Sequence, residues 1–149
     1  MTDDNDKLLG TWRLVSASST DPSGAKTDPP FGANPLGFLT YTDDGRVTAL
    51  ISYSGRKSLT IGAKGTALLE EQVEAFQTFL AYAGRYRLSG DKITHFVEVS
   101  SIQNYVDKEL VRKIKFQGNR IVLSAPPTMV NGRIQTVELV WERLDHSVR

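Results

Sequence analysis

Three short tripeptides, Asp43-Asp44-Gly45, Ser89-Gly90-Asp91 and Gln117-Gly118-Asn119, each sit between two runs rich in β-branched and aromatic residues. A turn of that kind folds the chain back on itself, so the flanking runs become antiparallel neighbours. LGFLTYTDDGRVTALISYS (36–54), GRYRLSGDKITHFVEVSS (84–101) and ELVRKIKFQGNRIVLSAPP (109–127) are the three hairpins this predicts. GTWRLVSAS (10–18), with Trp12, Leu14 and Ser16 on one side, precedes them, and RIQTVELVWERL (133–144) follows. The expected fold is mostly β: an eight-stranded antiparallel meander closed into a barrel, which leaves no exposed edge. Two packed sheets fit the same pattern.

One segment breaks the alternation. In TALLEEQVEAFQTFLAYAG (66–84), Leu69, Val73, Phe76, Leu80 and Ala83 recur at the spacing of a helical face. Thr66 suits the N-cap, Glu70 and Glu71 suit the first turn, and Gly84 suits the stop. The reading is one amphipathic α-helix over 66–83 between the third and fourth strands, docked as a brace on the barrel wall rather than laid over a rim. TDPSGAKTDPPFGANP (20–35), with four prolines and two glycines, is a long irregular connection. Residues 1–7 read as a flexible N-terminus, 8–144 as a single barrel domain, and 145–149 as a flexible tail that holds His146.

Composition removes several function classes. The 18 basic and 17 acidic residues leave a net charge of +1 with no basic run, so neither nucleic acid nor an anionic membrane is an expected partner. The chain has no cysteine, which excludes disulfides, thiolate metal sites and cysteine nucleophiles. MTDDNDKLLG lacks the apolar core of a secretory signal, and no run is long enough to span a bilayer, so a cytoplasmic location is expected. No phosphate-binding glycine loop, metal-ligand spacing or nucleophile elbow appears, and no cofactor or metal is expected. A homodimer stays open.

Strict alternation along a strand assigns its faces. ITHFVEV (93–99) puts Ile93, His95, Val97 and Val99 on one, apolar face. In LVRKIKF (110–116), Lys113 and Lys115 belong in water, so Leu110, Arg112, Ile114 and Phe116 point inward. The same argument turns Tyr86, Leu88, Ile121, Leu123, Gln135, Val137, Leu139 and Trp141 inward. A connection centred near residue 104 sets His95 opposite position 112 or 114, beside Arg112. None of the strands assigned by this parity adds a carboxylate to the inner face, and a buried guanidinium without a counter-ion costs several kcal/mol. Water, backbone carbonyls, an aromatic face or an anionic ligand would offset that cost. Burial and a nearby positive charge both favour a neutral His95. The plainer readings are a core histidine held by a carbonyl or water, and an Arg112 paired with a loop carboxylate. Tyr41, Tyr53, Tyr82 and Tyr86 can line a mouth or simply pack. Barrel closure brings the first and last strands together, with Arg143 stacked on Trp12.

GTWRLVS, PLGFLTYTDDGRV, AYAGRYRL, ITHFVEV, LVRKIKF and the terminal LVWERL, in this order, resemble the lipocalin-like domain proteins of the calycin type over roughly residues 8–144. The resemblance implies an eight-stranded barrel around a ligand cavity. It also implies either a carrier or a cofactor-independent isomerase, cyclase or dehydratase acting on polyketide- or lipid-like molecules. The missing signal and cysteines set this chain apart from secreted lipocalins. The expected activity is binding of a small hydrophobic or weakly acidic molecule that carries a carbonyl or carboxylate. Its contacts would be His95, Arg112, Tyr86, Phe116, Gln135, Leu139, Trp141 and Tyr41. In the enzymatic alternative His95 is the acid/base and Arg112 stabilises an oxyanion.

Overall fold

The structure, a computed structural model, describes residues 4–60, 67–130 and 132–144. Its elements are α1 (Asp4–Leu8), β1 (Gly10–Thr20), β2 (Leu36–Tyr41), β3 (Arg46–Ser52), α2 (Leu69–Gln77), β4 (Phe79–Ser89), β5 (Lys92–Ser100), a 3-10 turn (Gln103–Tyr105), β6 (Glu109–Gln117), β7 (Arg120–Ser124), β8 (Thr128–Val130) and β9 (Arg133–Arg143). The strands run in the order β1-β2-β3-β4-β5-β6-β7-β9-β8, and β1 also pairs with β9. That pairing extends from Trp12 opposite Arg143 to Thr20 opposite Thr136, so eight strands form a closed antiparallel barrel rather than two stacked sheets. β8 is a short ninth strand on the edge of β9, its Thr128 facing Gln135.

The hairpin turns fall where the tripeptides put them. At the first, Gly45 takes φ +84° and donates its N–H to the Thr42 carbonyl at 3.1 Å. A side chain is strained in that left-handed conformation, and glycine is not.

One end of the barrel is sealed. Leu8, at the end of α1, is fully buried, which removes one apolar side chain from water for about 2 kcal/mol. The Leu8 carbonyl accepts the Trp12 indole N–H at 2.9 Å. The Arg143 guanidinium lies 4.3 Å from the centre of the Trp12 ring and donates to the carbonyls of Leu9 and Lys7. Part of the segment read as a loose N-terminus is thus a helical stopper. The tail 145–149, with His146, lies outside the described residues.

The opposite end carries the 20–35 connection, α2, the 3-10 turn and β8. Phe31, from the long connection, packs against the core and meets Tyr53 edge-on at 5.1 Å. Among the described residues no helix is long and apolar enough to cross a membrane.

Four expectations need correction. The helix is Leu69–Gln77, not 66–83. Its end is set by Thr78, whose N–H and hydroxyl both return to the Glu74 carbonyl. Beyond it Phe79–Ala83 belong to β4, with Leu80 opposite Ile51 and Tyr82 opposite Ala49. The proposed cap Thr66 lies outside the described residues. Gly84 is no helix stop: an added Cβ would sit 1.9 Å from the Phe96 carbonyl oxygen, so glycine lets β4 and β5 approach at a bulge. Nor is α2 a docked brace. It has no buried residue, and Leu69, Val73 and Phe76 are 75%, 48% and 52% exposed. Finally, a bulge between Leu14 and Ser16 inverts the later half of β1, so Ser16 is exposed and Ser19 is buried.

Candidate functional site: a tyrosine–histidine–tyrosine chain in the barrel

His95 lies mid-way along β5 and is 1% exposed. Both of its ring nitrogens are engaged. Nε2 is 2.7 Å from the Tyr41 hydroxyl, and Nδ1 is 2.6 Å from the Tyr82 hydroxyl. Tyr41 comes from the last residue of β2, next to the sealed end, and Tyr82 from the first half of β4. The chain of hydrogen bonds therefore runs along the barrel, from a fully buried phenol to a half-buried one. Tyr86, directly opposite His95, packs edge-on against Tyr41 at 4.9 Å and donates its hydroxyl proton to the Thr42 carbonyl at 3.0 Å.

Arg112 joins this group on the diagonal. The observed register pairs His95 with Leu110 and Ile93 with Arg112, not His95 with position 112 or 114. Hydrogen bonds from Val97 N–H to the Lys108 carbonyl and from Asp107 N–H to the Val97 carbonyl close the connection earlier than a centre at residue 104 allows. Asp107 takes φ +66° to make that turn. The Arg112 side chain is half-buried and donates one Nη1 proton to the Val111 carbonyl at 3.0 Å. Among the described residues no carboxylate comes within 4.0 Å of it.

The electrostatics follow from burial and that one charge. Desolvation, reinforced by Arg112, lowers the His95 pKa to about 3, so the imidazole is neutral. Burial raises Tyr82 to about 12, with Arg112 opposing, and burial likewise lifts Tyr41 well above the ordinary phenol value. At neutral pH the group is thus two phenols and a neutral imidazole beside a single guanidinium. It can donate hydrogen bonds and offer positive charge to an oxygen.

The remaining sequence candidates separate. Gln135, on the inward face of β9, accepts a hydrogen bond from the buried Ser19 hydroxyl at 2.6 Å. Leu139 is a half-buried wall residue opposite Ala17 and Leu123. Trp141 is a core residue between Leu14 and Ile121, and its indole N–H has no acceptor among the described residues. Phe116 is not beside His95: it borders Lys7, Gly118 and Arg143 at the sealed end. A separate cleft of about 820 Å³ opens beside α2, lined among others by Arg56, Phe76, Phe79, Ser101 and Gln103. Sequence reasoning gave Tyr82 no contact with His95 and left Ser19 out entirely. The parity that turns Tyr86 inward extends to Tyr82 once β4 starts before Gly84.

A lipocalin-like protein from Bacteroides uniformis has 14% sequence identity to this chain and a TM-score of 0.47, with 93% of this chain and 99% of that one covered. Rv2717c from M. tuberculosis has 13% identity and a TM-score of 0.33, with 93% and 94% covered. No curated protein matches the sequence. The lipocalin-like domain family matches residues 9–144, a span that contains every strand of the barrel. The chain belongs to the lipocalin-like domain family.

Proposed function

We propose that the barrel binds a small, largely apolar molecule through a carbonyl, enolate or carboxylate oxygen held by the Tyr82 hydroxyl and the Arg112 guanidinium. The observation that carries this reading is the hydrogen-bonded chain Tyr41–His95–Tyr82 beside an arginine that no described carboxylate neutralises. Leu80, Leu88 and Leu139 are half-buried residues packed against the core and would supply apolar wall. His95 then acts through Tyr82 rather than by touching the ligand, because both nitrogens already have partners. A cytoplasmic protein without a cofactor fits this reading, as does a chain free of cysteine.

The isomerase, cyclase or dehydratase reading uses the same groups, with a proton passing along Tyr82–His95–Tyr41. The continuous chain favours it, but Tyr41 is a dead end for a proton. The pKa values of Tyr82 and His95, near 12 and 3, also place both far from neutrality. Binding is the better supported activity.

Titration with an anionic anilinonaphthalene sulfonate tests it. Arg112→Leu and Tyr82→Phe should each weaken binding about tenfold, the worth of one charge-assisted or buried hydrogen bond. Unchanged circular dichroism would show the fold intact. Wild-type affinity in both variants would overturn the proposal.

A further inference from the structure

Two buried hydroxyls, those of Tyr41 and Ser19, set the direction of the hydrogen bonds that His95 and Gln135 make. Tyr41 has one partner among the described residues, the Nε2 of His95. If that nitrogen carried the proton, Tyr41 would accept, and its own hydroxyl proton would be left unpaired in the core. A stranded buried donor costs about 1–3 kcal/mol. Tyr41 therefore donates to Nε2, the imidazole proton sits on Nδ1, and Nδ1–H donates to the Tyr82 oxygen. The Tyr82 proton is then free to donate to whatever enters.

The second wall repeats this logic. Ser19 is 2% exposed, and its hydroxyl has one partner among the described residues, the amide of Gln135. Its proton needs an acceptor, so Gln135 turns Oε1 toward Ser19, and its NH2 group is left facing away. Ser19 and Gln135 lie on β1 and β9, three to four strands around the closed barrel from β4 and β5, and thus on the opposite wall. Further along the inward face of β9, the Trp141 indole N–H is a third buried donor, without an acceptor among the described residues.

We infer that the interior is lined by donors at two opposed positions, and that its ligand carries an acceptor oxygen at each end of an apolar body, one for Tyr82 and Arg112 and one for the Gln135 amide. This deepens the binding reading above and rests on it. A dicarbonyl or a keto acid of roughly bicyclic size is the class that fits. Where side chains do not fill it, an eight-stranded barrel is wide enough for one small ligand of that order. An ammonium group at either end would set donor against donor and charge against Arg112.

Naphthoic acids substituted at the far end of the ring system with either an acetyl or an ethyl group are near-isosteric probes. The acetyl acid should bind wild-type protein about five- to tenfold more tightly, as one additional hydrogen bond permits. Gln135→Leu should abolish that preference without weakening the ethyl acid. Arg112→Leu should weaken both acids alike. Equal wild-type affinity for the two probes, or a preference that survives Gln135→Leu, would overturn the two-ended ligand while leaving carboxylate binding intact. Failure of both acids to bind would remove the binding reading as well. Nitrogen-15 NMR of His95 in the unliganded protein checks the polarity independently. A proton on Nδ1 is expected, and a proton on Nε2 overturns the inference.

Discussion

Tyr82 places its hydroxyl 2.6 Å from the Nδ1 of His95 across a gap of thirteen residues in the chain. The contact exists because β4 begins at Phe79, immediately after α2, so that Tyr82 faces the interior along with Tyr86. It converts a buried histidine into the support of a phenol that reaches half-way to solvent.

Protonation of His95 should govern acid stability. A folded-state pKa of about 3 against an ordinary 6.5 means that the unfolded chain binds the proton more tightly. The stabilisation is fully present above pH 6.5 and is lost as the pH falls toward 3, by up to about 1.4 kcal/mol per unit. Urea unfolding of wild type and His95→Gln should show this difference in slope between about pH 6.5 and 5, above the range where Glu98, held down by Arg46, begins to contribute. Parallel slopes would contradict it.

Tyr41→Phe removes the inner end of the chain and leaves His95 Nε2 without a partner in the core. A loss of about 1–3 kcal/mol is expected. His95→Ala should cost more, since it strands the Tyr41 hydroxyl and opens a cavity as well. Chemical denaturation of the two variants measures both, and the order matters more than the values.

Arg143→Met keeps the apolar stem but deletes the charge over Trp12 and the bonds to Leu9 and Lys7. About 1–3 kcal/mol should go. Proteolysis near residues 4–8 should quicken, because α1 is held by these contacts. An unaltered cleavage rate would show that Leu8 burial alone retains the helix.

Gly84→Ala should be among the most damaging single substitutions. Its methyl group would overlap the Phe96 carbonyl, which is backbone and cannot swing aside. A loss of about 3 kcal/mol is expected, read as a drop in the thermal midpoint. Gly118→Ala, with open space around its Cβ, is the comparison; its cost should be confined to its left-handed backbone.

The barrel was legible because alternation and turn chemistry act over a few residues and agree with one another. Trp12 and Arg143 were paired by closure alone, and His95 and Arg112 were turned inward by the parity of their neighbours. The losses have local causes. Leu80 and Ala83 satisfy a helical spacing and a strand at once, and burial against β3 decided between them. That error hid Tyr82. A bulge after Leu14 reverses parity without a marker in the composition, and this hid Ser19. The offset between β5 and β6 depends on a single left-handed residue, Asp107, which pattern alone does not reveal.

The α1 stopper, fastened by Trp12 and Arg143, closes one end of the barrel, so a ligand of the kind proposed would enter and leave by the other. It would then pass the 20–35 connection, whose Phe31 rests on Tyr53. Shortening that side chain should speed entry and departure together and leave the equilibrium constant nearly unmoved, so residence time is tuned at one threshold and grip at another.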